Sequence, residues 1–304
     1  MAFIVRRSLH SLLTLFGLIV LVFFAARLTG SPADLYLPID ATLEARQEFS
    51  ARHGFDRPLI QQFGSFLAGL ARLDLGHSIR KDRPAVEVVL EAMPTTLALA
   101  AVTMTLAIVG ALIVGALAAW RLGGVFDRLA SIVSLAGASA PDFWVAISAI
   151  LLFAVTLGWL PTSGTGGLAY WVMPIGVLVI RPFGILVQVV RNAMLGALSA
   201  PYVKTARAKG VSERRVIFVH ALRNAMLPVI TVAGDLAAGI VNGAVIVETI
   251  FGWPGVGKLM IDSIIQRDFA IIQAAIFVTA SLIFLMNIAI DLAYARLDPR
   301  VRHG

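Results

Sequence analysis

The sequence contains no cysteine, which excludes disulfide scaffolds, thiolate zinc sites, iron–sulfur clusters and cysteine nucleophiles. Charged residues are also scarce, at 14% of the 304 positions, whereas hydrophobic residues make up 59% and the mean hydropathy is +0.87. A soluble domain of this length needs more charge to cover its surface. The composition therefore predicts an integral membrane protein, and the net charge of +7 is interpreted as loop charge rather than a nucleic-acid-binding surface.

Six apolar stretches are long enough to cross a membrane, which takes about 20 residues in a helix. In chain order they cover residues 8–28, 95–119, 132–157, 169–190, 225–247 and 269–293. Pro141–Asp142 interrupts the third stretch, and Arg181–Pro182 is expected to bend the fourth. The first stretch resembles a signal peptide, but it lacks a convincing cleavage site and is expected to remain as a helix. These patterns predict an all-α membrane protein with six transmembrane helices.

Lys and Arg are divided unevenly between the two sides of the predicted membrane. The N-terminal tip, the loops 120–130 and 191–224 and the tail 295–304 carry 14 basic and three acidic residues, whereas the opposite loops carry nine basic and 12 acidic residues. Because Lys and Arg accumulate on the cytoplasmic side, both termini are predicted to lie in the cytoplasm. The expected organisation is a first helix plus outer segment (1–94), a five-helix core (95–294) and a cytoplasmic tail (295–304).

The outer segment, residues 29–94, is too long for a simple turn. Its stretches "TLEARQEFSARHGF" and "RPLIQQFGSFLAGLARLDLG" have apolar residues at helical spacing. Gly54 and Gly76 are predicted to end helices, and Pro58 suits a first helical turn. Short helices over the outer mouth are therefore expected, with a partly ordered connector as the alternative.

The loop at residues 191–224, here called the basic loop, carries seven Lys and Arg residues and a single acid, Glu213. Its segment "SAPYVKTARAK" favours a short helix, and Gly210 permits a sharp bend because glycine tolerates left-handed backbone angles. Ser212 is predicted to cap a second helix that has Glu213 in its first turn and runs to Pro228. Together these features predict a rigid knuckle, whereas charge alone favours a topology signal that also binds anionic lipid.

The stretch "YVKTARAKGVSERRVIFVHALRNAMLPV" resembles the cytoplasmic loop of ABC-importer permeases, in particular the dipeptide, oligopeptide and nickel branch of the binding-protein-dependent permeases. "TAR" at 205–207 stands where the general pattern has Glu-Ala-Ala, and Gly210 stands at the family glycine. "SAPDFWVAISAILLFAVTLGWLPTSG", "GAVIVETIFGWPGVGKLMIDSIIQRDF" and "DLAYARLDPRVR" resemble further segments of that branch. One departure is Gln188, where a basic residue is expected.

This resemblance implies a type I ABC-importer permease in the bacterial cytoplasmic membrane, with no ATPase site of its own. It implies a second related permease, two ATPase subunits that use ATP, and an extracytoplasmic substrate-binding protein. It assigns the ATPase contact to Tyr202, Val203, Lys204, Thr205, Ala206, Arg207, Ala208, Lys209 and Gly210. The implied cargo is a dipeptide, an oligopeptide, a glutathione-like peptide, or nickel or another metal chelate.

Two signals for other functions are weak. "GWPGVGK" at 252–258 matches a phosphate-loop pattern, but Leu259 replaces the required Ser or Thr and an apolar stretch precedes it. A re-entrant turn near the outer gate is the better interpretation. The five histidines form no metal-binding pair, so neither a metal site nor a catalytic residue is predicted, and no cofactor is expected on this chain.

Charged residues inside the apolar stretches are costly and usually face a cavity or a partner. Asp142, Arg181 and Asp235 are of this kind. They are interpreted either as positions along the substrate path or as structural charges that pair with another helix or with the partner permease. A self-sufficient secondary transporter is the rival interpretation, but the sequence shows neither an inverted repeat nor a coupling-ion site.

Overall fold

The computed structural model describes the backbone of residues 2–297 and the side chains of residues 12–290 and of Leu292. Most of the predicted tail, from residue 298 onward, lies outside the described residues, as do the side chains of Arg6 and Arg7. The described chain is mainly helical, with one two-stranded antiparallel hairpin that pairs His77 with Pro84.

In chain order the elements are α1 (Ala2–Leu28), α2 (Ala33–Tyr36), α3 (Leu43–His53), α4 (Leu59–Leu70), β1 (His77–Ser78), β2 (Arg83–Pro84), α5 (Ala85–Trp120), α6 (Val125–Ser139), α7 (Asp142–Ala149), α8 (Ala169–Ser199), α9 (Pro201–Ala208), α10 (Glu213–Arg215), α11 (Leu222–Ile250), α12 (Val256–Ile265) and α13 (Phe269–Leu297). A π-helical segment, Ile150–Thr156, continues α7. A second one, Val216–Ala221, joins α10 to α11.

Within the described residues, four helical stretches are long and apolar enough to cross a membrane: α5, α8, the continuous helix from α10 through α11, and α13. The bent pair α6 and α7 makes a fifth if it counts as one span. The second, fourth, fifth and sixth apolar stretches are thus confirmed as helices, and α8 continues through Pro174 and Pro182. Six spans and cytoplasmic termini stay predictions.

The interruption predicted in the third stretch is much larger than a proline kink. The chain changes direction by 102° between the axis of α6 and that of α7 with its π-helical continuation. Ala140 and Pro141 between them are both extended, with ψ of 130°. Proline lacks the N–H of a helix and disfavours helical angles in the residue before it, which explains a break of both residues. The helix before the break also begins earlier than predicted, at Val125.

The described chain divides into two compact units. The first ends at Thr96 and resumes over Pro254–Phe284; the second comprises Leu97–Trp253 and resumes at Leu285. The first unit contains the outer helices α3 and α4 that were predicted from their spacing.

Gly54 ends α3 in the left-handed conformation, with φ of +71°, as predicted. The prediction for Gly76 was wrong. Helix α4 already ends at Leu70, and Gly76, with φ of +88°, leads into β1 instead. Gly76 was interpreted as a helix end, but the interpretation failed because a left-handed glycine serves a turn before a strand equally well.

Asp268 is buried in the first unit, at 1% exposure, and forms hydrogen bonds with two of its segments. Its carboxylate accepts a bond of 2.5 Å from Ser78 Oγ and a longer one from the backbone of Ile271 in the first turn of α13. An acid at this helix end is favourable because it meets unpaired backbone N–H groups. Burial, with the Asp268 charge nearby, raises the pKa of Tyr36.

Candidate functional site

The basic loop contains the predicted short helix. Helix α9 begins at Pro201, whose fixed φ suits the first turn, after an extended Ala200. Val203 is fully buried and Ala206 partly so, and these two positions hold the helix against the rest of the second unit. The outward face consists of Tyr202, Lys204, Thr205, Arg207, Ala208 and Lys209. A face with three cations suits a polar or acidic surface on another molecule.

Gly210 makes the predicted bend after α9. Its φ is +76°, and a Cβ atom there would meet nothing within 4 Å, so the backbone angle alone calls for glycine. Its N–H donates to the Arg207 carbonyl at 3.0 Å, and Val211 N–H donates to the Ala206 carbonyl at 3.2 Å. These bonds close the end of α9 in a compact turn.

The second helix begins where it was predicted. Ser212 has the extended backbone of an N-cap, with φ of −60° and ψ of 144°, and Glu213 lies in the first turn. The Ser212 side chain makes no capping bond, however, so its contribution is conformational. The helix runs into Pro228 as predicted and continues without interruption through α11 to Ile250.

One ion pair spans the bend. Arg207 donates to Glu213 from Nη2 at 2.6 Å and from Nε at 3.2 Å. This pair raises the pKa of Arg207 above its usual value, chiefly through the hydrogen bond. Both side chains are about two-fifths exposed (44% and 39%), so the pair is worth at most about 1 kcal/mol. Its bidentate geometry nevertheless ties α9 to α10, which the sequence did not reveal.

The three predicted intramembrane charges occupy different surroundings. Asp142 opens α7 and is partly exposed, and a Cβ built on Gly243 of α11 would be 3.9 Å from its Oδ2. Arg181 is exposed, and its charge acts on the Asp142 carboxylate. Asp235 is exposed on α11. The second unit thus brings Asp142 and Arg181 near each other.

Helix α11 carries a polar exposed stripe, of which the sequence analysis singled out only Asp235. The exposed residues from Thr231 onward recur every three or four positions and therefore share one face: Thr231, Asp235, Gly239, Asn242, Ile246 and Thr249. By contrast, the exposed face of α5 presents Leu, Val and Ile, as at Leu106, Val109 and Ile113. Counting polar residues at helical spacing inside the apolar run would have found the stripe.

The segment "GWPGVGK" forms a turn between helices. It follows α11, not a strand, and Gly252 has φ of +61°. The Phe251 carbonyl accepts a bond of 2.8 Å from Gly164 N–H, and Val256 N–H donates to Thr96 Oγ1 at 2.9 Å. A phosphate loop requires a strand before the glycines, so this geometry does not match one.

With this geometry in place, comparison with known proteins decides the family. A family model described as "Binding-protein-dependent transport system inner membrane component" matches residues 111–303. The chain belongs to this family. The residues that suggested an ABC-importer permease therefore identified it correctly, and the matched range includes the basic loop, the bend at Pro141 and the stripe on α11.

Two curated relatives of this binding-protein-dependent permease match over nearly full length. The "Di/tripeptide transport system permease protein DppB" of Pseudomonas aeruginosa (strain UCBPP-PA14) is 37% identical, over 100% of this chain and 99% of the relative. The "Oligopeptide transport system permease protein AppB" of Bacillus subtilis (strain 168) is 35% identical, over 99% of each.

A solved structure shares the fold. A chain of the inward-facing MetNI methionine ABC transporter superposes with a TM-score of 0.59 and 18% identity, over 69% of this permease and 96% of that chain. At this identity the likeness concerns the fold alone. The permease is therefore a multi-pass membrane protein with an ABC-transporter permease fold.

Proposed function

We propose that this permease is one membrane subunit of an ATP-driven peptide importer in a bacterial cytoplasmic membrane. The peptide cargo is supported by the names of both full-length relatives. A second permease would pair with it, two separate ATPases would bind at the basic loop, and a binding protein would deliver the cargo outside. ATP would be used by those ATPases and not by this chain.

The observation that carries the proposal is the geometry of the basic loop. Helix α9 buries only Val203 and Ala206, presents its other side chains outward, and is braced by the turn at Gly210 and by the Arg207–Glu213 pair. A braced, exposed helix transmits a push from another protein, whereas a flexible loop would absorb it. If the basic loop only fixed the orientation in the membrane, its positive charges would suffice, and the turn at Gly210 and the Arg207–Glu213 pair would not be needed.

The exposed stripe of α11 supports a path for a polar cargo. A charged residue that faces lipid at the centre of a membrane costs about 2.5–3.5 kcal/mol. Asp235 and Asn242 on this stripe are therefore better placed against water or protein. Asp142 of α7 lies close to Gly243, the residue after Asn242. We assign Asp142, Arg181 and Asp235 to the substrate path, where they would meet the charged termini of a peptide.

The coupling role is tested by a pair of matched glycine variants. Gly210→Ala forces a side chain into a left-handed angle, which costs about 1–2 kcal/mol and opens the turn that braces α9. Gly158→Ala imposes the same strain elsewhere, since Gly158 has φ of +65° and nothing within 4 Å of a built Cβ. Peptide uptake by the transporter assembled with its ATPases should fall for Gly210→Ala and stay normal for Gly158→Ala. Equal uptake by both variants would refute the role of α9.

The cargo is tested by uptake in cells that depend on this transporter. Labelled di- and oligopeptides, glutathione and ⁶³Ni-chelates are supplied to cells with and without the gene. Loss of peptide uptake alone supports the proposal. Loss of nickel uptake with peptide uptake intact would overturn the peptide cargo while leaving the family unchanged.

A further inference from the structure

Helices α6 and α8 are joined along one seam in the second unit. Four residue pairs form it in antiparallel order: Asp127 with Arg191, Ser131 with Gln188, Ser134 with Gly184, and Gly137 with Ile180. On each helix the partners recur three or four residues apart, so they lie on one face. The seam therefore runs along nearly all of α6.

Asp127 and Arg191 close the seam at the basic-loop end. Arg191 donates from Nε to Oδ1 at 2.5 Å and from Nη2 to Oδ2 at 2.9 Å. The backbone N–H of Gly123 adds a bond to Oδ2 at 2.9 Å. The Asp127 side chain is only 4% exposed and that of Arg191 only 19%. A bidentate pair with so little solvent fixes the orientation of both helices, and losing one partner leaves the other charge buried.

The rest of the seam combines one close approach of the two backbones, at Gly184, with two side-chain contacts. A Cβ on Gly184 would collide with the Ser134 carbonyl oxygen, and one on Gly137 would be 3.0 Å from Ile180 Cγ2. Gln188 Nε2 donates to the Ser131 carbonyl at 3.3 Å. At Gly184 no side chain separates the two backbones, and this close packing opposes sliding of one helix along the other.

The two ends of the seam lie at the two regions that the proposed function uses. At one end, Arg191 lies in the basic loop, and α8 continues from it as a helix to Ser199, with Ala200 leading into α9. At the other, α6 ends at Ser139 and is followed at once by the bend and Asp142, while Arg181 follows Ile180 on α8. A displacement of α9 therefore reaches both charges if α6 and α8 keep their registry.

We propose that Asp127 and Arg191 are positioning residues for transport: they lock α6 to α8, so that both helices carry the movement of α9 to the bend at Pro141 as one body. This inference rests on the proposed role of α9 as the ATPase contact. Neither residue touches cargo or ATP; each acts through the placement of α9 and of the bend.

A disulfide across the far end of the seam tests whether the two helices move together. The chain has no native cysteine, and the close approach of Gly137 and Ile180 suits a Gly137→Cys/Ile180→Cys bridge. In the transporter reconstituted with its ATPases and binding protein, oxidation should form the bridge and leave uptake unchanged. Uptake that is lost on oxidation and restored by a reductant would show that α6 must slide along α8, and would overturn the proposal. The two single-cysteine variants are the controls for oxidation itself.

Charge variants test the clamp itself. Asp127→Ala should lower the number of peptides imported per ATP hydrolysed about tenfold or more, while the complex still assembles. The exchanged pair, Asp127→Arg with Arg191→Asp, should recover part of this ratio, because it restores the ion pair but not the bond from Gly123. A normal ratio in Asp127→Ala, or a ratio in the exchanged pair no better than in the single variant, would refute the clamp.

The outcomes also separate this inference from the proposed function. If Gly210→Ala imports normally, the role of α9 fails, whatever the disulfide shows. If Gly210→Ala fails to import and the oxidised disulfide variant also loses uptake, α9 keeps its role and the locked seam is wrong. Should Asp127→Ala not assemble, the disulfide result alone decides whether the seam is locked.

Discussion

Gly184 lies where α8 meets α6 with no room for a side chain. A Cβ atom there would collide with the Ser134 carbonyl oxygen and lie 3.0 Å from the Ala138 backbone nitrogen. Both obstacles are backbone atoms, so relief requires α6 and α8 to separate. Gly184→Ala is therefore expected to destabilise the pair, even though alanine is the better helix former.

Gly196 on the same helix supplies the matched comparison. It is exposed, and a Cβ there would meet nothing within 4 Å. Gly196→Ala should raise the free energy of unfolding by up to about 1 kcal/mol, the intrinsic helix gain. Gly184→Ala receives the same gain but overpacks the seam, which costs about 1–3 kcal/mol. The two alanine variants should therefore differ by about 1–3 kcal/mol, with Gly184→Ala the less stable.

The assay is thermal unfolding of the purified permease in detergent, followed by intrinsic fluorescence and by size-exclusion chromatography after heating. Gly196→Ala should melt at or above the temperature of the unmodified chain, and Gly184→Ala clearly below Gly196→Ala. Because the substitution and the helix are the same, the difference reports packing against α6. Equal melting temperatures would refute the close approach of the two helices at Gly184.

Three further predictions concern single side chains. Asp268→Ala removes the buried acceptor of Ser78 Oγ and should lower the free energy of unfolding by about 1.5–3 kcal/mol. Thermal melting measures this effect, and Asp56→Ala at an exposed position is the control. Tyr36→Phe removes a buried hydroxyl that has no partner among the described residues, so the melting temperature should stay the same or rise; a clear fall would show that the hydroxyl is bonded. Asp235→Leu alters an exposed position of α11 and should reduce peptide uptake without lowering the melting temperature; normal uptake would remove Asp235 from the substrate path.

Local backbone rules predicted the basic loop well. Pro201 can begin a helix but not continue one, and Gly210 accepts an angle that other residues avoid, so the ends of α9 follow from these two positions. The same kind of rule failed at Gly76, because a left-handed glycine marks a turn without saying which element precedes it. The sequence also marked the break at Pro141, but the 102° angle depends on how α7 packs on α8 and α11.

Contacts between distant residues could not be predicted in this way. Asp127 and Arg191 are 64 positions apart, and the sequence offered each of them only as a loop charge. Their pairing depends on the register of α6 on α8, which the small residues Gly137 and Gly184 set through close approach. The glycines are visible in the sequence, but many other glycines in this chain have open space beside them, Gly196 and Gly239 among them.

Polar residues have different roles in the α6–α8 seam and on the exposed stripe of α11. Apolar side chains gain little by leaving lipid for one another, so helices that must stay paired in a membrane rely on close packing and polar bonds. The α6–α8 seam has both, and its charges are satisfied internally. The stripe on α11 leaves Asp235 and Asn242 exposed instead. Since lipid would make that exposure costly, water or another protein must cover this face, which is where the proposed function places the path.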